Sequence, residues 1–409
     1  MRRSILFIEE RRRFWRSRRS SFWGIRMKKK ILCIFLCLTM VGTLAACRGS
    51  KPVSFSNDEM DISDKGCVNW YGRTYADKED GSMGFDYTCS GFEVTFFGTS
   101  LTARMKSSKT TVVSGTDYSW VNVYLDGAMV ETSVLEISSE QYADFELAAD
   151  LDEGRHTVKV LKRTEAQFST LSLSALSTDG HFETPPAKSE KKIEVYGDSI
   201  TCGYGSVSAI GASGFKTATE DGTRTYAAMA ANWLGAQCSI IGYSGWRLAN
   251  YWPDAGLTVP DVYDRVYSPL RSVDAAWNTS DYIPDVVIVN LGTNDYAQCA
   301  ASAQTNYAFG NEQGEIFQNA YRDFIAKLQK SYPKAQIILC NGAMLTDTVP
   351  WEKEIVKELN AAGNTSVHYV QLYQTAIGKD NGTDGHPHWT AHYESAGLLY
   401  AKIKSVTGW

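Results

Sequence analysis

The hydrophobic period of this chain changes once, across a Pro/Lys/Ser-rich stretch at residues 181–192, and the change divides one polypeptide between two fold classes. Before it, apolar residues recur at every second position. They are Phe92, Val94 and Phe96, then Val121, Val123 and Leu125 ahead of an Asp126-Gly127 turn, then Val158 and Val160, then Leu171 and Leu173. Period two marks strands with one buried face. Strands at this spacing, with no helix-period segment between them, predict an antiparallel sandwich or jelly roll. After it, apolar runs at 193–197, 238–242, 286–290, 336–340 and 367–371 alternate with helical stretches near 223–234, 315–331, 350–362 and 391–405. The clearest helix carries Ile316, Phe317, Ala320, Tyr321, Phe324, Ile325 and Leu328 on one stripe. A βαβ succession of this kind predicts a parallel sheet covered on both faces.

The organisation expected is therefore an all-β domain over 61–180 and an α/β domain over 190–409, preceded by a tether at 47–60 and a processed start at 1–46. The start is basic: residues 1–46 hold 12 of the 41 Lys and Arg but 2 of the 46 Asp and Glu. The remainder carries 29 basic and 44 acidic side chains, a net charge of −15, which argues against nucleic acid as a partner. Within the start, Met27 precedes Lys28, Lys29 and Lys30, an apolar run from Ile31 to Val41, and Leu44-Ala45-Ala46-Cys47. That is the layout of an export signal, and the run is shorter than the ~20 residues of a membrane-spanning helix. The last four residues resemble a bacterial lipobox. The resemblance implies lipidation at Cys47 and an exported lipoprotein held at the outer face of the membrane by its lipid alone. Simple cleavage to a free secreted product is the alternative. Residues 1–26, Arg-rich and upstream of a complete signal, read as an over-called start, with one unusually long signal as the alternative. Cys67, Cys89, Cys202, Cys238, Cys299 and Cys340 remain in the mature chain; their pairing cannot be deduced from spacing, and no C-x-x-C occurs. Cys340, at the end of an apolar strand, reads as a buried small hydrophobe.

Ser199 follows the first apolar run of the α/β part, in Val195-Tyr196-Gly197-Asp198-Ser199. Open α/β sheets keep their chemistry at the carboxyl ends of strands. A serine there reacts only with a base and an oxyanion site beside it. Three other segments would reach the same edge. Gly242-Tyr243-Ser244-Gly245-Trp246 follows the second run, Leu291-Gly292-Thr293-Asn294-Asp295 the third, and Thr383-Asp384-Gly385-His386-Pro387-His388 precedes the last helix. His386 can take the serine's proton and Asp384 can orient the imidazole. The N–H groups of Ser199 and Gly245 and the amide of Asn294 can face the oxyanion, glycine at 245 allowing close approach.

Taken in order, Gly-Asp-Ser, the glycine of Ser-Gly, Gly-Thr-Asn-Asp and Asp-x-His-Pro resemble the four blocks of the SGNH (GDSL) hydrolase superfamily. The chain is also similar to acetylesterases of carbohydrate esterase family 2 at Gly72-Arg73-Thr74-Tyr75, Phe97-Gly98-Thr99-Ser100-Leu101 and Pro260-Asp261-Val262-Tyr263-Asp264-Arg265. The resemblance implies a flavodoxin-like SGNH domain behind a jelly-roll sandwich. It implies Ser199 as nucleophile, His386 as base, and Ser199, Gly245 and Asn294 as oxyanion donors. The activity implied is removal of acetyl groups from carbohydrate hydroxyls, typically the 6-hydroxyl of hemicellulose-type sugars, with no cofactor and no metal. Some members of that family use a Ser–His dyad with the imidazole held by a backbone carbonyl, in which case Asp384 is dispensable. Competing readings are a lipid-directed SGNH esterase and a glycan-binding lipoprotein with a degenerate hydrolase domain.

Other features have plainer readings. The Gly197, Gly203 and Gly205 spacing lacks both dinucleotide and Walker patterns. His386, His388 and His392 are close in sequence, but Pro387 and the absence of H-E-x-x-H argue against a metal site. Asp198 is expected to brace its turn and Asp295 to bond backbone N–H groups. The aromatic segment 251–284 fits neither period. Trp246, Trp252 and Trp277 are candidate sugar platforms, and a hydrophobic plug against the sandwich is the alternative for the segment.

Overall fold

The structure, a computed structural model, describes residues 59–60, 62, 66–109, 118–252, 256–266, 268, 275–301 and 311–409. The expected export signal, Cys47, the expected tether up to residue 58 and Tyr267 lie outside them. Among the described residues, no helix is long and apolar enough to cross a membrane.

The α/β part is a five-stranded parallel sheet. Its strands are β1 (Lys192–Gly197), β2 (Gln237–Gly242), β3 (Val286–Asn290), β4 (Gln336–Asn341) and β5 (Val367–Gln371), in spatial order β2-β1-β3-β4-β5. Side chains alternate across a strand, and here both faces are dry. Ile193, Val195, Val286, Ile288 and Ile338 face Tyr226, Ala227, Ala230, Leu399 and Ile403. Tyr196, Val287, Val289, Ile337 and Leu339 face Phe317, Tyr321, Phe324, Leu328 and Ile355. This explains why residues 286–289 of β3 read as an apolar run: all five residues of the strand, Asn290 included, are buried. The helices are α1 (Ser199–Cys202), α2 (Tyr226–Leu234), α3 (Val259–Val262), α4 (Thr293–Ala301), α5 (Asn311–Ser331), α6 (Val349–Ala361) and α7 (Trp389–Thr407).

Residues ahead of β1 form two facing antiparallel sheets. One is built on Gly91–Gly98, Gly154–Lys162, Ser119–Leu125 and Ala128–Ile137, the other on Leu101–Lys106, Ser172–Thr178 and Ala143–Ala148. Phe92, Val94, Phe96, Val121, Val158 and Val160 meet Leu101, Ala103, Met105, Leu171 and Leu173 between them. The expected linker at 181–192 begins too early. His181–Glu183 is a further strand, pairing antiparallel with Gly91–Gly98 and burying Phe182 opposite Phe96. A single apolar residue between Asp179-Gly180 and Pro185-Pro186 carries no visible period, so only the tertiary partner reveals it.

The two parts share a seam with charge inside it. The Arg73 guanidinium lies 3.0 Å from Glu194 of β1, both side chains fully buried, and also donates to the Tyr196 hydroxyl and the Arg265 carbonyl. Asn122 donates to Asp221 and Thr223, and the Tyr87 and Tyr243 hydroxyls stand 2.5 Å apart. All six cysteines among the described residues are free.

Candidate active site

Each predicted site segment leaves the carboxyl end of its strand, at the edge where the sheet order reverses between β1 and β3. After β1 the chain turns sharply at Gly197, where an added Cβ would stand 2.0 Å from the Thr201 hydroxyl. Asp198 then caps α1, its carboxylate accepting from the Ile200 N–H at 3.0 Å, and Ser199 is the first residue of the helix. Asp198 therefore braces the turn. Burial pushes its carboxyl up to about 7.

His386 arrives from the loop between β5 and α7. Its Nε2 lies 2.8 Å from Ser199 Oγ, and its Nδ1–H donates to the Thr383 carbonyl at 3.3 Å. That carbonyl accepts only, so it fixes the tautomer that leaves Nε2 as an acceptor for the serine O–H. Burial pulls the imidazole down to about 4, against the smaller opposing pull of the neighbouring carbonyls and the Asp384 charge. The imidazole is thus neutral at ordinary pH.

Asp384 requires a correction to the triad expected from sequence. Its carboxylate accepts from the Tyr204 hydroxyl at 3.3 Å and from the Gly214 N–H at 3.2 Å, at an exposed position. The cause is local backbone. Asp384 is left-handed (φ 52°, ψ 36°), which turns its side chain to the loop 204–214 while the Thr383 carbonyl takes the imidazole.

Gly245 lies at the third position of a turn closed by the Trp246 N–H donating to the Tyr243 carbonyl at 3.3 Å. Its φ of 80° is the reason for glycine there, since an added Cβ would meet nothing within 4 Å. Its N–H lies outside the turn's own hydrogen bond. The Ser199 N–H, at the start of α1, has no intrahelical acceptor. Asn294, in the first turn of α4, directs Nδ2 at the Trp246 carbonyl (2.9 Å) and, across 3.4 Å, at Asp198. Asp295 accepts from the Leu248 and Ala249 N–H groups and from the Tyr251 hydroxyl, which pins the segment after Gly245. A hydroxyl on a neutral imidazole, with the Asn294 amide reaching the neighbouring Asp198, is an arrangement suited to acyl transfer.

The tryptophans separate. Trp246 stacks on Tyr243 (centroids 4.3 Å apart) with its indole N–H on Gln167 at 2.8 Å. Trp252 stands against the Arg247 guanidinium at 5.4 Å. Trp277, read as a sugar platform, packs over the Arg73 guanidinium at 5.4 Å, in the seam. Tyr263 lies against Phe324 of α5, on the α/β side. The other histidines have separate tasks. His388 caps α7, and His392 is buried with Nδ1 accepting from the Tyr226 N–H. No group of three His, Cys, Asp or Glu among the described residues is placed to hold a metal ion.

Sequence reasoning missed an aromatic wall beside His386. Tyr204 packs at a tilt against the imidazole (4.3 Å) and stacks on Phe215 (4.0 Å), and Phe168 of the sandwich backs Phe215 at 4.9 Å. A tyrosine between Gly203 and Gly205, one turn after the serine, was the available signal.

Residues 195–397 match the GDSL-like lipase/acylhydrolase family, and residues 70–186 match the carbohydrate esterase 2 N-terminal family. The chain is 31% identical over 327 residues to a cellulase/esterase, CelE, of Acetivibrio thermocellus; the match covers 78% of this chain and 37% of that protein's length. It is 25% identical to an acetylxylan esterase / glucomannan deacetylase of Cellvibrio japonicus, covering 93% of this chain and 100% of the relative. Among solved structures, a family two carbohydrate esterase from Clostridium thermocellum in complex with cellohexaose aligns with a TM-score of 0.73 at 29% identity, over 84% of this chain and 99% of that one.

Proposed function

We propose that this chain, which belongs to the GDSL-like lipase/acylhydrolase family and carries a carbohydrate esterase 2 N-terminal domain, is a serine esterase that removes acetyl groups from carbohydrate hydroxyls. The observation that carries the reading is the contact of Ser199 Oγ with a neutral, correctly tautomeric His386. Ser199 attacks the acetyl carbonyl while Nε2 takes its proton. The oxyanion receives the N–H groups of Ser199 and Gly245 and the Asn294 amide. The amide N–H facing Asp198 across 3.4 Å is the more weakly held and is the one available. Collapse expels the sugar alkoxide, which takes the proton from His386, and leaves an acetyl-enzyme. Water, deprotonated by the same imidazole, then releases acetate. Asp384 stands outside this sequence and the site works as a dyad.

The substrate class is an acetylated hemicellulose-type glycan, acetyl xylan or a related polymer, with the 6-hydroxyl as the favoured position. Support comes from the activities of the relatives and from Trp246, an aromatic side chain in the Gly245 turn itself. Acetate release from acetylated xylan, mannan and cello-oligosaccharides, with the freed hydroxyl read by NMR, tests this. Preference for long-chain nitrophenyl esters over all three would refute it. The protein acts outside the cell, held by lipid at Cys47. Cys47→Ala then moves it from the membrane fraction to the medium, and an unchanged fraction would refute the anchor.

A further inference from the structure

The turn that presents the Gly245 N–H is not held by the hydrolase domain alone. Its polar groups are taken up by one short segment of the sandwich domain, between the strands Gly154–Lys162 and Ser172–Thr178. Gln167 Nε2 donates to the Ser244 carbonyl at 3.0 Å, while Gln167 Oε1 accepts from the Trp246 indole N–H at 2.8 Å. The carboxylate of Glu165 accepts from the Ser244 N–H at 2.7 Å and, by its other oxygen, from the Ser244 hydroxyl. Between them Ala166 is fully buried in the core of the α/β domain, and its carbonyl accepts from Ser268 at 2.8 Å.

The segment is itself braced. Glu165 is fully buried, its N–H donating to the buried Glu220 carboxylate at 3.0 Å. Lys162, also without exposure, donates to the Thr164 and Glu165 carbonyls at 2.8 and 3.0 Å.

The peptide geometry gives these contacts a consequence. The Ser244 carbonyl and the Gly245 N–H belong to one planar trans peptide and point in opposite directions. A donor fixed on that carbonyl therefore fixes the direction of the Gly245 N–H. Glu165 holds the preceding peptide by its N–H, so both planes entering Gly245 are clamped. Glycine at φ 80° has little preference of its own to keep the turn so oriented.

We propose that Gln167 and Glu165 of the sandwich domain are positioning residues for the oxyanion site, aiming the Gly245 N–H through the Ser244–Gly245 peptide. The sandwich is then part of the catalytic unit as well as a neighbour. The inference rests on the esterase reading above and goes beyond it in assigning these two residues.

The test is Gln167→Glu in the full chain. The carboxylate keeps an acceptor for the Trp246 indole but sets an oxygen against the Ser244 carbonyl, so the peptide loses its donor while the tryptophan keeps its partner. Gln167 is only partly buried, and the variant is checked for native circular dichroism and melting temperature. The expected result is a fall in kcat of about tenfold to a hundredfold, with KM on an acetylated sugar within about twofold of wild type. In a Gly245→Ala background, where the turn is already strained, Gln167→Glu adds little further loss. Glu165→Gln serves as the second variant, with a smaller fall in kcat and the same unmoved KM. Unchanged kcat in folded Gln167→Glu would overturn the proposal, leaving the segment a structural strut. Losses that multiply independently in the double variant would overturn it too. Should Ser199→Ala turn over the ester as fast as wild type, the esterase reading itself fails, and the positioning roles with it.

Discussion

Replacing Asp384 by Asn is the sharpest single test of how the imidazole is held. In a Ser-His-Asp triad the acid accepts Nδ1–H, and its conversion to Asn costs kcat about 10⁴-fold by imposing the wrong tautomer. Here the tautomer is set by the Thr383 carbonyl at 3.3 Å, which the substitution does not touch. What Asp384 would lose is modest. The Gly214 N–H at 3.2 Å can still donate to the Asn oxygen, and the Tyr204 hydroxyl at 3.3 Å gives up a charged acceptor for a neutral one. At an exposed position two such long bonds are worth about 1 kcal/mol together, or about fivefold in rate if all of it reached the transition state. Asn also tolerates the left-handed backbone that Asp384 adopts, so stability should hold. Removing the carboxylate takes away a charge that favours the imidazolium, so any acid limb moves to lower pH. The assay is kcat and kcat/KM on an acetylated sugar for Asp384→Asn beside His386→Ala. We expect a loss within about fivefold for the first and of several orders of magnitude for the second. A loss of a thousandfold or more for Asp384→Asn would refute the dyad and show that the carboxylate swings onto Nδ1 during turnover.

The imidazole works as a base only when neutral, and burial lowers its pKa to about 4, so activity should fall as pH drops through that value and not before. A pH profile of kcat/KM with an acid limb near the ordinary histidine value of about 6.5 would contradict this. Asn294→Ala removes one oxyanion donor and should lower kcat by about 10²- to 10³-fold with KM nearly unchanged; unaltered kcat in single-turnover assays would remove Asn294 from the site. Arg73→Met leaves Glu194 buried without its partner and should cost about 3–5 kcal/mol in urea denaturation, whereas a cost under about 1 kcal/mol would mean that the seam rehydrates. Since His388 and His392 serve α7 and the Tyr226 backbone, dialysis against EDTA should leave kcat intact. Loss of activity restored by added zinc would overturn that.

What the sequence made legible was local. An apolar run ending on Gly197, with a cap and a hydroxyl directly after it, carries its geometry within a few residues, and so do the tips bearing Asn294 and His386. The parallel strands were readable because burial on both faces favours apolar runs, as in residues 286–289, although Glu194 and Asn290 show that a buried polar residue can sit in such a strand. Asp384 misled for a local reason as well. An acid two residues before a histidine looks like its partner, and nothing in the residue order displays the left-handed backbone that turns the carboxylate toward Tyr204. Phe168, Gln167 and Glu165 were illegible for a different reason. They lie in a loop without period, and their partners are some 50 to 80 positions away, at Phe215, Trp246 and Ser244. Burial of a polar side chain is a tertiary fact, and a lone Gln or Glu in a sequence does not disclose it. The residues proposed to react therefore lie in short motifs, while the direction proposed for the Gly245 donor depends on a second domain folded against the first. Two chains with the same four motifs but different seams should then share a mechanism and differ in kcat.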